Sequence, residues 1–268
     1  MERLERFLEE DIGYGDITTD LLVPDVDGEA DIICESDSVV AGLEEAMSIF
    51  EGCDVSCDLK AADGERVKKG TVVMTLSGPL KNIITIERTA LNIMMRMSGI
   101  ATAVSDVLIK CRRINKNIRI SGTRKTTPGF REFEKKAIVL GGGDPHRYGL
   151  GDLILVKDNH IKAAGGMKNV VELLKNAPFT KKIEIEVENI DDALTAAKCA
   201  DIIMIDNVAP AEAKKIADAV RKVKNVIIEV SGNITKENAA DHAAFADVIS
   251  MGSLTHSVRA VHFSLDIK

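Results

Sequence analysis

Residues 182–207 read KIEIEVENIDDALTAAKCADIIMIDN, and this stretch decides how the chain is expected to fold. It opens and closes with short apolar runs of the kind that form buried strands. Between them, Asn189 and Asp192 stand where a helix would be capped, so residues 189–199 are predicted to be helical. A strand, a helix and a second strand in direct succession predict parallel strands in one sheet.

The same alternation extends in both directions from this stretch. The six predicted strands are NIRISG, DLILVKD, KKIEIEVE, DIIMIDN, NVIIEVSG and DVISMGS. Predicted helices between them include MKNVVELLKNA, residues 210–223 and ITKENAADHAAF, for which Thr235 is the expected N-cap. Six strands in this order favour a βα barrel, although an open sheet would give much the same pattern. We assign residues 104–255 to this domain.

Residues 1–103 show a different organisation, with strands and helices mixed along the chain. Strand-like runs such as EADIICES and TVVMTLSG surround a helical pattern at GLEEAMSIFEG, which predicts an α+β domain. Between residues 87 and 113 the apolar spacing predicts one long helix or two, with an interruption near Ser98 and Gly99. Arg88 is an isolated charge at its start. The tail, residues 256–268, is expected to return to this first domain.

Composition and charge exclude several classes of protein. The chain has 268 residues, of which 45% are hydrophobic and 29% charged, with a net charge of −7 that argues against nucleic acid as a partner. No apolar run approaches the roughly 20 residues of a membrane span, and the N-terminus lacks the apolar core of a signal peptide. Five cysteines fit reduced thiols, so we expect a cytoplasmic protein without a membrane partner.

One stretch departs from this acidic balance. Residues 110–136 contain ten basic residues against only Glu132 and Glu134. Its strong stacking aromatics are only Phe130 and Phe133. This composition favours a pocket for a small polyanion over a track for nucleic-acid bases.

Polar residues stand at the ends of the predicted strands. Four successive strands are followed by, or end in, Arg124 and Lys125, Lys157 and Asp158, Glu186 and Glu188, and Asp206 and Asn207. In βα barrels the carboxyl ends of the strands meet at one mouth, where the loops form the active site. The four polar ends therefore predict one shared site.

The last two predicted strands run into glycine-containing loops. These loops hold Ser231, Gly232 and Asn233, and Met251, Gly252 and Ser253. Glycine lets backbone amides approach phosphate oxygens, and a helix that begins nearby favours an anion. Two neighbouring loops of this kind predict a site for a monophosphate.

A divalent cation is expected where acids and a polyanion meet. The predicted mouth combines Glu186 and Asp206 with the basic residues Arg124, Lys125, Arg147 and Lys157. Because two carboxylates repel a polyanion unless a cation lies between them, we expect Mg²⁺ at the two acids, bound directly or through water. The residues indicate a phosphorylated, metal-chelating substrate and a second anionic one. A pyrophosphate ester of ribose fits, as do other sugar phosphates.

The segment GTRKTTPGFREFEKKAIVLGGGDPHRYGLGDLILVKDNHI, residues 122–161, closely resembles the quinolinate phosphoribosyltransferase family. Further matching motifs run nearly from end to end: GYGDITT at 13–19, ERTALN at 87–92, SGIAT at 98–102, EIEVE at 184–188, MIDN at 204–207 and ISMGSLTHS at 249–257. The resemblance implies an α/β protein, with an N-terminal α/β sandwich domain followed by an incomplete parallel βα barrel. It also implies a homodimer with shared active sites, or a larger assembly such as a hexamer.

The resemblance assigns a reaction and residue roles. The phosphoribosyl group of phosphoribosyl pyrophosphate passes to quinolinate with decarboxylation, which yields nicotinate mononucleotide, pyrophosphate and CO₂ for NAD biosynthesis. Implied quinolinate ligands are Arg124, Lys125, His146, Arg147, Lys157 and, from the neighbouring subunit, Arg88. Implied phosphoribosyl ligands are Lys157, Glu186, Asp206, Ser231, Gly232, Asn233, Gly252 and Ser253. Lys125, Lys157, Glu186 and Asp206 are the predicted catalytic residues, and Glu186 and Asp206 the predicted metal site.

Two departures from the family pattern and several alternatives accompany this reading. Asn233 stands where the family commonly has glycine, and Asp144 and Pro145 stand where many members have asparagine before the histidine. The alternatives within related proteins are a nicotinate phosphoribosyltransferase and a paralogue linked to molybdenum transport. The full set of basic residues favours a dicarboxylate over nicotinate. A carrier module, or an aldolase with Lys157 as its Schiff base, would be a different class of protein.

Overall fold

The computed structural model describes residues 2–268, which divide into two compact units. One unit contains residues 2–105 together with Glu132–Gly142 and Val258–Lys268, and the other contains Asp106–Arg131 and Gly143–Ser257. The tail thus belongs to the first unit, and so does the segment Glu132–Gly142, which the sequence analysis assigned with residues 104–255 to the second domain. None of the described helices is both long enough and apolar enough to cross a membrane.

The elements are numbered along the chain. The strands are β1 (Asp27–Cys34), β2 (Ser38–Val39), β3 (Ser56–Leu59), β4 (Arg66–Val67), β5 (Val72–Pro79), β6 (Arg119–Ser121), β7 (Ile154–Val156), β8 (Ile183–Val187), β9 (Ile202–Asp206), β10 (Ile227–Ser231), β11 (Val248–Ser250) and β12 (Phe263–Ile267). The helices are α1 (Glu2–Ile12), α2 (Ile17–Leu22), α3 (Leu43–Glu51), α4 (Leu80–Arg112), α5 (Arg131–Leu140), α6 (Asp158–Ala163), α7 (Met167–Leu173), α8 (Ile190–Ala196), α9 (Pro210–Val223), α10 (Ala239–Ala243) and α11 (Ser253–His256), with a 3₁₀ turn at Leu174–Asn176.

The first unit is built on a four-stranded antiparallel sheet in the order β12-β1-β5-β3. Strand β1 lies between the tail strand β12 and β5, so the two ends of the chain share one sheet. Residues of β1 alternate between exposed and buried positions, and Ala30, Ile32 and Cys34 are fully buried. The alternation is the expected signature of a sheet with one face in the core.

Helix α4 is continuous through Ser98 and Gly99, so the predicted interruption at these residues is wrong. A β-carbon on Gly99 would lie 2.3 Å from the carbonyl oxygen of Arg259, which explains why glycine stands there. The Ser98 hydroxyl bonds the backbone of Ala41 through both its N–H (2.9 Å) and its carbonyl (3.1 Å). Both residues therefore serve close packing, and neither ends the helix.

The second unit is built on a six-stranded parallel sheet in the order β6-β11-β10-β9-β8-β7. Its two edges are β6 and β7, which follow each other along the chain. Backbone hydrogen bonds of Asp144 to Ile120 (2.8 Å) and Gly122 (2.9 Å) extend the sheet beyond β6 without a full strand. The fold prediction of an N-terminal sheet domain followed by an incomplete parallel βα barrel is confirmed.

Alternation along these strands separates an apolar face from a polar one. Ile120, Ile185, Ile203, Ile228 and Ile249 are fully buried, one on each of five strands. Neighbouring residues of a strand point to opposite faces. The polar residues directly before or after these isoleucines therefore share the other face of the sheet, where the candidate site lies.

Of the two predicted helix N-caps, one is present and the other is not. Asn189 caps α8 by accepting the N–H of Asp192 at 2.9 Å, as predicted. Helix α10 begins at Ala239, so Thr235 is not its N-cap. The Asn238 side chain accepts the Thr235 N–H at 2.8 Å and holds residues 235–238 as a separate turn. The loop after β10 is therefore not followed directly by a regular helix.

Candidate active site

A cavity of about 310 Å³ opens at the carboxyl ends of the parallel strands, and we call it the carboxyl-end cavity. Its lining residues are Gly122, Thr123, Arg124, Lys125, His146, Arg147, Leu155, Lys157, Met204, Asp206, Glu229, Ser231 and Ser250. Each of the strands β6, β7, β9, β10 and β11 contributes to this lining from its last residues or from the loop that follows. The polar strand ends seen in the sequence thus converge on one site.

Lys157 and Glu186 are brought together by the register of β7 and β8. Val156 pairs with Ile185, so the next residue of each strand lies beside the other. The Lys157 ammonium donates to the Glu186 carboxylate at 2.7 Å, and the glutamate side chain is only 10% exposed. The pair places a positive and a negative charge at the mouth of the cavity.

Asp206 is held by a short chain of amides. Asn207 Nδ2 donates to Asp206 Oδ2 at 2.6 Å, and Asn233 Nδ2 donates to Asn207 Oδ1 at 3.0 Å. A carboxylate only accepts, so it fixes which end of the Asn207 amide faces it, and hence which end faces Asn233. Both asparagines have positive φ, 56° and 50°, a conformation that asparagine tolerates better than most residues. The family departure at Asn233 therefore adds a contact that glycine could not make.

Glycines at the ends of β10 and β11 allow close packing beside the cavity. Gly232 has φ 87°, and a β-carbon there would lie 2.4 Å from the Asn207 backbone nitrogen. A β-carbon on Gly252 would lie 2.9 Å from the Lys125 side chain. Ser253 donates to the Ile234 carbonyl at 3.3 Å. Ser231 lines the cavity, whereas Gly232, Asn233, Gly252 and Ser253 are not among its lining residues.

Arginine nitrogens face the cavity from the side of β6. Nε of Arg124 is buried and has no hydrogen-bond partner among the described residues. Burial lowers the pKa of the Arg147 guanidinium, and the nearby charge of Arg124 lowers it further. Two cations packed this closely repel each other unless an anion joins them. The arrangement is suited to a carboxylate, which guanidinium groups bind in a forked geometry.

The loop that carries Arg147 is shaped by Asp144. Its carboxylate accepts the backbone N–H of His146 at 2.7 Å, a local turn that asparagine could also form. His146 has φ 55°, and its Nδ1 accepts the backbone N–H of Arg147 at 2.8 Å. The Asp144 side chain therefore fixes the turn that presents His146 and Arg147.

Two acids that the sequence prediction missed lie against the histidine. Glu184 and Glu229, which we call the acidic pair, are 0% and 2% exposed. His146 Nε2 lies 3.5 Å from Glu184 and 3.3 Å from Glu229. Burial raises the pKa of Glu184 to about 8, and the charge of Glu229 raises it too. Both acids could have been predicted from the alternation of side chains along a strand. Glu184 lies two residues before Glu186, and Glu229 two residues before Ser231, so each points to the same face as the predicted site residue.

His146 and the acidic pair also have the spacing of metal ligands. The hydrogen bond from the Arg147 amide requires a lone pair on Nδ1, which places the ring proton on Nε2. A metal at Nε2 would instead require a proton on Nδ1, and metal-bound histidines normally donate from that second nitrogen. The hydrogen bonding therefore disfavours a metal ion at this cluster.

Arg88 lies in the other compact unit, on α4. Its side chain is 58% exposed, and the guanidinium lies 3.5 Å from the carboxylate of Glu87. Burial raises the pKa of that carboxyl group. Among the remaining predicted site residues, Arg124, Lys125, His146, Arg147, Lys157, Asp206 and Ser231 line the carboxyl-end cavity.

Comparison with known families accounts for nearly the whole chain. The model of the quinolinate phosphoribosyl transferase C-terminal domain matches residues 100–266, and that of the N-terminal domain matches residues 16–98. The chain belongs to the quinolinate phosphoribosyl transferase family. The match to the C-terminal domain contains every lining residue of the carboxyl-end cavity.

Relatives within this quinolinate phosphoribosyl transferase family are similar over most of their length. The probable nicotinate-nucleotide pyrophosphorylase (carboxylating) of Archaeoglobus fulgidus is 44% identical, over 95% of this chain and 98% of its own. The human nicotinate-nucleotide pyrophosphorylase (carboxylating) is 38% identical, over 89% and 82%.

Solved structures agree with this family assignment. The crystal structure of NadC from Streptococcus pyogenes has a TM-score of 0.93 at 33% identity and covers 100% of this chain and 95% of its own. Human nicotinic acid phosphoribosyltransferase has a TM-score of 0.60 at 13% identity, a likeness of fold alone.

Proposed function

We propose that this protein transfers the phosphoribosyl group of phosphoribosyl pyrophosphate to quinolinate with decarboxylation, giving nicotinate mononucleotide in NAD biosynthesis. The main support is that one cavity combines Arg147, Lys125 and Lys157 with Arg124, whose buried Nε has no hydrogen-bond partner in the described part of the chain. Such a cationic set suits a dicarboxylate better than a monocarboxylate. The names of the human and archaeal relatives support the same activity.

The two carboxylates of quinolinate would bind on the side of β6 and the 143–147 loop. Arg124 and Arg147 each offer a planar guanidinium, and Lys125 and Lys157 add point charges. Binding the dianion would relieve the repulsion between the two arginines. The pyridine nitrogen would then face the ribose across the cavity.

The phosphoribosyl group would bind on the opposite side, along β8 to β11. The loops at Ser231–Asn233 and Gly252–Ser253 would surround the 5′-phosphate with backbone amides. Glu186 and Asp206 would lie near the ribose, where positive charge develops as pyrophosphate leaves. Their carboxylates are donors that Mg²⁺ accepts together with phosphate oxygens. When bound there, Mg²⁺ would neutralise charge on the leaving pyrophosphate.

The proposed reaction has two steps at quinolinate. The ring nitrogen forms a bond to the anomeric carbon of ribose as the bond from that carbon to pyrophosphate breaks. The 2-carboxylate then leaves as CO₂, and the electron pair stays on the ring carbon until it takes up a proton. The cationic side of the cavity would hold the second carboxylate throughout, which keeps the ring in place between the two steps.

We propose that the protein is a homodimer with shared active sites, and that such dimers could assemble further into a hexamer. Its proposed location is the cytoplasm. Arg88 is half exposed and would reach the neighbouring subunit's site. Large exposed apolar side chains cluster along the first unit near α2: Tyr14, Ile17, Leu21, Leu22 and Val26. Such a surface is of the kind that a subunit interface covers.

A substrate assay tests the proposal directly. Purified protein with Mg²⁺, phosphoribosyl pyrophosphate and quinolinate should release CO₂ and form nicotinate mononucleotide. Omitting Mg²⁺ should abolish the reaction. Equal or faster turnover of nicotinate, without CO₂, would instead identify a nicotinate phosphoribosyltransferase.

The shared site has its own test. Arg88→Ala and Lys157→Ala chains should each be inactive, and mixing them should restore part of the activity, because one site of a mixed dimer keeps both residues. Absence of recovery in mixtures shown to contain heterodimers would contradict a shared site.

A further inference from the structure

The acidic pair is the one buried charged feature beside the carboxyl-end cavity that the proposed function does not use. Both oxygens of Glu184 and Oε1 of Glu229 have no hydrogen-bond partner among residues 2–268. Buried carboxylates without donors are costly, so their retention in a barrel interior calls for a compensating role. Glu229 lines the cavity, and Glu184 lies just behind it.

His146 connects the acidic pair to the loop that carries Arg147. Its Nε2 lies 3.3 Å from a carboxylate oxygen of Glu229, within hydrogen-bond distance, and 3.5 Å from one of Glu184. The other ring nitrogen accepts the Arg147 amide, and the His146 amide donates to Asp144. The ring is thus held from both sides, and it in turn holds a left-handed turn at φ 55° that histidine would not favour alone.

The Arg147 side chain is partly buried, and the held turn favours one position of its guanidinium in the cavity.

We infer that Glu184 and Glu229 are positioning residues that act through His146 to aim Arg147 at a substrate carboxylate. The inference rests on the proposed function, because it takes Arg147 to bind quinolinate. It also gives His146 a positioning role, since both of its ring nitrogens are engaged by the protein. A loss of the acidic pair should therefore weaken quinolinate binding selectively and leave the phosphoribosyl side unchanged.

The test uses Glu184→Gln, Glu229→Gln and His146→Asn, with the exposed Glu212→Gln on α9 as a control. Glutamine keeps the shape of glutamate but removes the charge. Asparagine at 146 tolerates the left-handed turn and can still accept the Arg147 amide, yet it is too short to reach the acidic pair. Each of the three should raise the KM for quinolinate about tenfold or more, because small displacements of a binding group have large effects. The KM for phosphoribosyl pyrophosphate should stay within twofold.

A double variant separates action through His146 from independent action. If the pair acts through the histidine, His146→Asn combined with Glu229→Gln should be no worse than His146→Asn alone. Fully additive effects would overturn the inference. So would an unchanged KM for quinolinate in both glutamine variants, or equal rises in both KM values with a lower melting temperature, which would indicate a structural role only.

Ring ¹⁵N chemical shifts give a readout that does not depend on activity. The His146 signal, identified by its loss in His146→Asn, should show the proton on Nε2 and should change in Glu229→Gln. A proton on Nδ1, or one tightly bound metal ion per chain that Glu184→Gln removes, would contradict the inference. If the wild type neither binds nor converts quinolinate while the ring shifts are as expected, the proposed function fails and the hydrogen-bond geometry stands.

Discussion

The two ends of the six-stranded sheet both carry charged residues but use them differently. A cavity of about 330 Å³ lies at the amino ends of the strands, close in volume to the cavity of about 310 Å³ at the carboxyl ends. Its lining residues are Lys182, Asp201, Lys224, Asn225, Val226, Ile227 and Asp247. Size and polarity alone therefore do not separate the two sites.

Hydrogen bonding does separate them. At the amino ends, Asp201 accepts the Ile183 N–H (2.8 Å), Asp247 accepts the Ile228 N–H (2.8 Å), and Lys224 donates to the Ala200 carbonyl (2.8 Å). These charges satisfy the backbone where strands begin. At the carboxyl ends, Arg124 and the acidic pair have buried atoms without hydrogen-bond partners within residues 2–268. The comparison shows that unsatisfied buried charge, more than charge itself, marks the functional end of the sheet.

Lys157→Ala should give the largest effect, because it removes a cation that lines the carboxyl-end cavity and pairs with Glu186. We expect kcat/KM to fall by about 100- to 1000-fold. The melting temperature should change little, since the lysine side chain is half exposed. Steady-state kinetics and a thermal melt measure the two quantities. Retention of more than a tenth of the activity would contradict the conclusion that the carboxyl ends of the strands are the functional end of the sheet.

Asp247→Ala should show the opposite pattern at the amino ends. It removes the acceptor of both the Ile228 N–H and Arg221, at 2.8 and 2.9 Å. The free energy of unfolding should fall by about 2 kcal/mol, as for other hydrogen bonds to charged groups. Urea unfolding measures this loss, and kcat/KM should stay within twofold. Asp218→Ala, which removes only an exposed pair with Lys214, is the matched control and should cost about 0.5 kcal/mol or less.

Glu184→Gln should stabilise the fold while it weakens quinolinate binding. The buried carboxylate lies beside Glu229 and accepts no hydrogen bond, so an amide that can donate to Glu229 is a better neighbour. We expect a gain of about 1 kcal/mol in the free energy of unfolding, measured by urea titration. A loss of stability would mean that the acidic pair holds the fold together and would weaken the contrast between the two ends.

Asn233→Gly should give the smallest effect. Glycine suits the positive φ at this position, so folding is not at risk, but the bond to Asn207 is lost. With Asp206 less well held, the KM for phosphoribosyl pyrophosphate should rise about threefold, in line with the loss of one exposed hydrogen bond. Asn233→Asp cannot donate to Asn207 and should behave alike. An unchanged KM in both variants would show that the amide chain has no role in binding.

The sequence was sufficient for features that repeat or that depend on local chemistry. The βα alternation predicted the six parallel strands, and the polar strand ends placed Arg124, Lys157 and Asp206 at one cavity. The cap at Asn189 was predictable because its partner lies three residues away.

The remaining features depend on distant or alternating positions. Gly99 looked like a helix break because its neighbour, Arg259, is far away along the chain. Glu184 and Glu229 sit inside strands, where the prediction considered only the terminal residues. The turn at residues 235–238 depends on the side chain of Asn238, which accepts the Thr235 N–H, and the regular helix begins only after it.

The pairing between β6 and the loop at Asp144 is short, and this affects how readily this side of the site opens to a ligand. There the loop at Asp144 makes two backbone hydrogen bonds with the strand where a full ladder would make more. Short pairings open more readily than the centre of a sheet, so amide protons at Gly122 and Asp144 should exchange with solvent sooner than those of β9 or β10. The half of the site that carries Arg147 would then fluctuate while the opposite half stays ordered. A ligand that contacts both halves would therefore slow the opening of the barrel at this edge.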